Sequence, residues 1–231
     1  MYMSKKNIII VVSRYNEDLH WIDEYPFNKF NYIVYNKGDN NNFNKSNVEK
    51  IHNLPNVGMC DHTYLYHIVN NYYNLTDITI FLPGSVYQGN KKNKAVNLLN
   101  YIINSNFQNA YFIGGYCDSV SQKFNNFTIN KHSSINKENN SKNSRTHLLK
   151  CKIRPYGKWY KYFLKNTKSN WYCYNGIFSF DKRDIIQHDI KRYISLIQTV
   201  NFYSNHEASH YIERSWGSIC SPLKATITIE E

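Results

Sequence analysis

The apolar positions of this chain fall into short runs separated by polar, asparagine-rich stretches. Residues 7–13, NIIIVVS, are almost continuously apolar and stop at Arg14, the pattern of a strand buried in a parallel sheet. NYIVYN at 31–36 predicts a second strand, closed by Lys37 and Gly38, and DITIFL at 77–82 a third, ended by Pro83-Gly84. Between the first two, residues 21–30 predict a short helix interrupted near Pro26. Residues 48–54 read as a short strand or a turn. Leu65, Ile68, Val69 and Tyr72 align on one side of a helix over 63–72, capped by Asp61 or a residue before it. Val96, Leu99 and Ile103 do the same over 95–103, and 110–113 is a short strand before Gly114-Gly115.

The pattern changes at 121–150, where asparagine, serine and lysine dominate and apolar residues are scattered. This predicts a polar surface insertion or flexible loop within one domain over 1–231. Beyond it, 159–163 is a helix start, 174–180 a strand, 183–200 one helix, and 208–219 helical or turn-rich. The alternation of strands and helices over the first 120 residues predicts an α/β fold, a mostly parallel central sheet with helices on both faces. Sites in such sheets lie beyond the carboxyl ends of the strands. The loops there are 14–18, 36–39, 83–85 and 114–118.

Composition narrows the class. The 231 residues suffice for one substantial core, and 42% hydrophobic content excludes a disordered chain. No apolar run reaches the roughly 18 residues of a membrane span, and no signal cleavage site follows Ile8–Val12, so a cytoplasmic location is expected. Five scattered cysteines without a CxxC pair predict free thiols. The formal charge of +11 suits nucleic acid, an anionic membrane surface or a phosphorylated small molecule, and part of it follows from compositional bias.

Several segments carry candidate chemistry. Ser13, Arg14, Tyr15, Asn16 and Glu17 open from the first strand as a ligand-binding edge, with Arg14 suited to a phosphate; a helix cap is the competing reading. Dispersed glycines exclude GxGxxG and Walker loops. Tyr174, Asn175 and Gly176 suit stacking on a sugar ring or base. Asp118 is a candidate acid or metal ligand. The densest cluster is NHEASHYIERSW at 205–216, where Glu207, His210 and Arg214 share a helical face with Glu213 beside them. A carboxylate there could deprotonate a hydroxyl, and Arg214 could neutralise a departing diphosphate. His206 to His210 also spell HExxH, so a zinc metalloprotease is an alternative.

VVSRYNEDLHWI (11–22), YIVYNKG (32–38), LPNVGMCDHTYLYHIVNNYYNLTDITIFLPGS (54–85) and NHEASHYIERSW (205–216) resemble uncharacterised glycosyltransferase-like proteins of fungi, algae and large DNA viruses. The bias toward Asn, Ile and Lys resembles that of an amoeba-infecting giant virus, implying a host-cell cytoplasmic or viral-factory location. The resemblance implies a GT-A-type fold and sugar transfer from a UDP- or GDP-sugar to a carbohydrate or glycoprotein acceptor. It puts the nucleotide at Ser13–Glu17 and at Asn36, Lys37 and Asp39. Glu207 is then the first choice of base and Glu213 the second, with Arg14 and Arg214 on the diphosphate and Tyr174–Gly176 and Trp216 on the substrate. Such folds hold Mn2+ or Mg2+ by a DxD after a later strand. This chain has Phe81-Leu82-Pro83-Gly84-Ser85 there, leaving Asp118 and His210 as ion ligands. A catalytically inactive binding protein for nucleic acid or carbohydrate is the alternative, along with peripheral contact to a membrane.

Overall fold

The computed structural model describes residues 6–130, 132, 148–165 and 167–231. It is a mixed α/β fold. Strands β1 (Ile8–Arg14), β2 (Tyr32–Asn36), β3 (Val48–Asn53) and β4 (Ile78–Pro83) run parallel, and β7 (Phe178–Asp181) pairs antiparallel with β4, in the order β3-β2-β1-β4-β7. A three-stranded sheet, β6-β5-β8, contains β5 (Ala110–Tyr116), β6 (Trp171–Tyr172) and β8 (Thr226–Glu230). Ser179 Oγ joins the two sheets, accepting from Tyr111 N at 2.8 Å and donating to Tyr111 O at 2.9 Å.

The period of two along β1 divides its side chains between two cores. Ile9 and Val11 enter one core, built with Tyr64, Leu65 and Ile68 of α1 (Met59–Asn71). Ile10 and Val12 enter the other, with Ala95, Leu98, Leu99 and Ile102 of α2 (Lys91–Asn104). Helices therefore cover both faces, and β1 is apolar throughout because neither face meets water.

Several elements differ from the sequence pattern. Residues 21–30 form two 3₁₀ turns, His20–Asp23 and Phe27–Lys29, on either side of Pro26. Helix α1 starts at Met59, with Gly58 at φ 56° as its N-cap, so Asp61 lies inside the first turn and is not the cap. Of the predicted strand 174–180 only the second half is strand, β7; Asn175 and Gly176, with φ of 68° and 62°, form a turn between it and β6. The single helix expected over 183–200 is α5 (Lys182–Ile186) and α6 (Ile190–Ile197). Asp189 divides them by accepting Lys191 N–H at the new N-terminus. Strand β8 adds an element beyond those expected, although TITIE alternates.

The described part of 121–150 is exposed or half-buried. It opens on α3 (Val120–Lys123), and Phe124 and Phe127 pack against the buried Tyr156 and Tyr211. The rest of that expectation, at 131 and 133–147, lies outside the described residues. Helices α4 (Tyr156–Phe163) and α7 (Glu207–Ile219) complete this side. Among the described residues no helix is long and apolar enough to cross a membrane.

Candidate functional site at the carboxyl ends of the parallel strands

Strand order reverses between β1 and β4, because β2 and β3 lie on one side of β1 and β4 on the other. Sheets of this topology place ligands beyond the strand ends at that point, and here the loops after β1 and β4 stay in contact, Gly84 N donating to Ser13 O at 2.7 Å and Trp21 Nε1 to Gly84 O at 3.1 Å. Arg14 ends β1 fully buried, and its guanidinium is consumed within the protein. Nε donates to Glu17 O at 2.7 Å, Nη1 to Asn36 Oδ1 at 2.6 Å and Asn40 O at 2.8 Å, and Nη2 to Asn40 Oδ1 at 2.9 Å. The same group covers the Phe43 ring at 4.4 Å. Asn36 answers from β2, donating through Nδ2 to Asn40 O and Asn41 Oδ1. Arg14 and Asn36 thus tie the loops after β1 and β2 together, and Arg14 has no free edge for a diphosphate. Ser13 shares a hydrogen bond with Thr63 of α1 at 2.9 Å. Asn16 Oδ1 accepts from Asn40 Nδ2 at 3.2 Å, and Glu17 Oε2 accepts from Tyr15 N at 2.7 Å. A Cβ on Gly38 would lie 1.5 Å from Tyr15 O, so only glycine lets the two loops approach this closely.

A polar cavity of about 520 Å³ lies at the ends of β2 and β3, lined by Tyr15, Lys37, Gly38, Asp39 and Leu54–Asn56. Lys37 forms its inner wall. It is 7% exposed, and its Nζ donates to Val57 O at 2.6 Å and to Met59 O. Burial pulls the ammonium down to about 7, opposed by the nearby Cys60 and Asp61. Lys37 therefore anchors the start of α1 to this cavity.

Two acidic residues lie beyond that anchor, Asp61 on α1 and Glu213 on α7 (Glu207–Ile219). Asp61, on α1, is 2% exposed and accepts the Trp216 Nε1–H at 2.8 Å. Burial, and then the charge of Glu213, push its carboxyl well above the usual range. Glu213, on α7, accepts Asn175 N–H at 2.9 Å, and burial raises it against the pull of Arg214, Lys91 and Lys94. The left-handed backbone at Asn175 and Gly176 presents that N–H. Arg214 Nη1 donates to His210 O at 2.8 Å and approaches Glu213 Oε2 at 3.4 Å, and its guanidinium lies 4.2 Å from the Phe127 ring and 5.0 Å from Tyr174. Lys91 reaches Ser85 Oγ at 2.8 Å, and Lys94 pairs with Glu231 at 2.6 Å. Burial favours the protonated form of both carboxyls, and Arg214, Lys91 and Lys94 oppose it at Glu213.

The structure separates the sequence candidates. Glu213, Arg214, Lys37, Tyr174, Asn175 and Gly176 gather around α1 and α7. Glu207, the first-choice base, does not join them. It is fully buried, accepts from Ile129 N, Cys151 N and Tyr211 Oη, and pairs with Arg154 at 3.1 Å. Its oxygens are spent holding chain segments, which is a structural role. Trp216 is likewise core, stacked on Phe81 and bonded to Asp61, and is not a substrate wall. His206 caps α7, its Nδ1 accepting Ala208 N–H at 3.1 Å. Asp118 is exposed, while His210 is 7% exposed with its ring 4.4 Å from that of His132. Among the described residues no group of three His, Cys, Asp or Glu side chains is placed to hold a metal ion. Neither the HExxH pair nor Asp118 with His210 therefore supplies a fitting donor set there.

Lys91 and Lys94 stand outside the sequence candidates. The sequence does carry a signal for them, since KKNK opens α2 with cations where the helix dipole disfavours them. Cations placed there answer to a carboxylate or crevice elsewhere. No curated protein and no solved structure matches the chain. A family model described as protein of unknown function (DUF3431) matches residues 9–224. With that match running from β1 to the residues just before β8, the chain belongs to the family of unknown function DUF3431.

Proposed function

We propose that the protein is a GT-A-type glycosyltransferase that moves a sugar from a nucleotide-sugar donor to an acceptor hydroxyl. One observation carries the reading. The polar cavity at the ends of β2 and β3 shares its Lys37 wall with the start of α1, which bears Asp61, a carboxyl that the charge of Glu213 helps to raise. The nucleotide occupies that cavity, and the sugar extends toward Glu213 and the Tyr174–Gly176 turn. Glu213 takes the proton from the acceptor hydroxyl. The hydroxyl oxygen bonds to the anomeric carbon as the carbon–oxygen bond to the nucleoside diphosphate breaks. Lys91, Lys94 and Arg214 supply positive potential to the departing diphosphate. The segment after β4 offers no carboxylate, and no step here is routed through a metal.

Thermal stabilisation by a panel of UDP- and GDP-sugars, together with release of nucleoside diphosphate, tests the reading. Glu213→Gln should retain donor stabilisation while turnover falls by about 10²–10⁴-fold. Absence of both stabilisation and hydrolysis across the panel ends the proposal.

A further inference from the structure

A second cavity, about 1170 Å³, lies elsewhere, between α6, the end of α4 and residues 149–153. It shares no residue with the carboxyl-end cavity, so a ligand bound here is independent of the transferase reading. Its size reaches the range of small-molecule sites. Leu149, Ile153, Phe163 and Phe202 give it apolar walls. Among the described residues its charge is one-sided, with Lys150, Lys152, Lys165, Lys191 and Arg192 against Asp189. Asp189 is already engaged at the N-terminus of α6.

Three buried side-chain nitrogens of lining residues have no partner, His188 Nε2, Arg192 Nε and His206 Nε2, and those of Arg192 and His206 are donors. His206 is 3% exposed, and its Nδ1 accepts the α7 capping bond, so the neutral ring carries its proton on Nε2. That Nε2 has no partner. Arg192 Nη2 donates to Ser218 O at 3.0 Å and Thr167 Oγ1 at 3.2 Å, whereas its buried Nε has no partner. A buried donor left unmatched is costly, and an incoming acceptor removes that cost.

From this combination of apolar walls, a cationic rim and unmatched donors we infer that the cavity binds an anionic amphiphile, a hydrocarbon chain bearing one carboxylate or phosphate. The chain lies along Leu149, Ile153, Phe163 and Phe202, and the lysine stems extend the apolar surface while their ammonium groups meet the head. Arg192 and His206 donate to the head oxygens.

The full-length protein is titrated by calorimetry with oleate, oleoyl lysophosphatidate, uncharged monoolein and inorganic phosphate, the lipids below their micelle concentrations. Oleate or lysophosphatidate, or both, should bind one to one, and whichever binds names the head group. Monoolein and phosphate should each bind at least about tenfold more weakly. Lys152→Glu with Lys191→Glu, both exposed, should weaken the lipid about tenfold, and Ser195→Trp should abolish binding by filling the cavity. Circular dichroism and the urea unfolding midpoint check that each variant is folded. The inference is overturned by equal binding of monoolein, by phosphate binding as tightly as lysophosphatidate, or by no lipid binding. It is also overturned by unchanged affinity in the charge-reversed variant, or by binding to phosphatidylglycerol vesicles without uptake of monomeric lipid.

Discussion

His206 shows how one side chain sets a pH dependence. Burial holds its imidazole down at about 4, against 6.5 for the free residue. Between those values the unfolded chain binds a proton that the folded chain refuses, so stability falls as pH drops from about 6.5 toward 4. His206→Asn keeps an N-cap acceptor and removes the titration. Urea midpoints at pH 7 and pH 5 should therefore show a smaller acid loss in this variant than in the parent. Other charged residues among the sequence candidates also proved structural. Arg14 and Glu207 have the side chains of a phosphate ligand and a base, and their types were legible in sequence. Their burial and saturation were not, because the partners come from Asn36 and Asn40 in one case and Ile129, Cys151 and Arg154 in the other. Glu213 differs by a single protein N–H bond and a long approach to Arg214, which leaves acceptor capacity.

At the scale of elements, apolar periodicity located β1, β2, β4, α1, α2 and α7 within a few residues. It failed where a polar contact outweighed the period. Ile186, Ile190, Ile194 and Ile197 continue a helical stripe through a break made by the Asp189 cap. Gly58 starts α1 through a left-handed backbone, which no apolar pattern records. The start of strand β8 is held by Asp184 of α5, whose carboxylate accepts from Lys224 N, Ala225 N and Thr226 N. Asp184→Ala should cost about 2 kcal/mol in urea unfolding. Amide exchange at Thr226–Glu230 should accelerate more than that at β1, because β8 is an edge strand of its sheet while β1 is central in its own.

Across the whole molecule, an aromatic cluster couples the sheet to the candidate site. Phe81 of β4 lies 4.9 Å from Tyr64 of α1 and 5.3 Å from Phe178 of β7, and Phe178 lies 5.0 Å from Trp216 of α7. The same Trp216 bonds Asp61. Phe81→Ala should destabilise the fold by about 3–5 kcal/mol, measured by chemical denaturation, and weaken donor stabilisation as α1 and α7 lose their common support. The sequence by itself determined the α/β class, the buried parallel strands and the loops at their carboxyl ends, since burial on two faces demands unbroken apolar runs. It also supplied the chemical types collected in 205–216. Only the tertiary structure decided which of those types reach the candidate site. A helix turns its residues in different directions, and α7 carries Glu207 into the core while bringing the charge of Glu213 to bear on Asp61, a partner 152 positions away in the chain. Spacing along one helix fixes which residues share a face, but the neighbour that face meets is set by long-range packing.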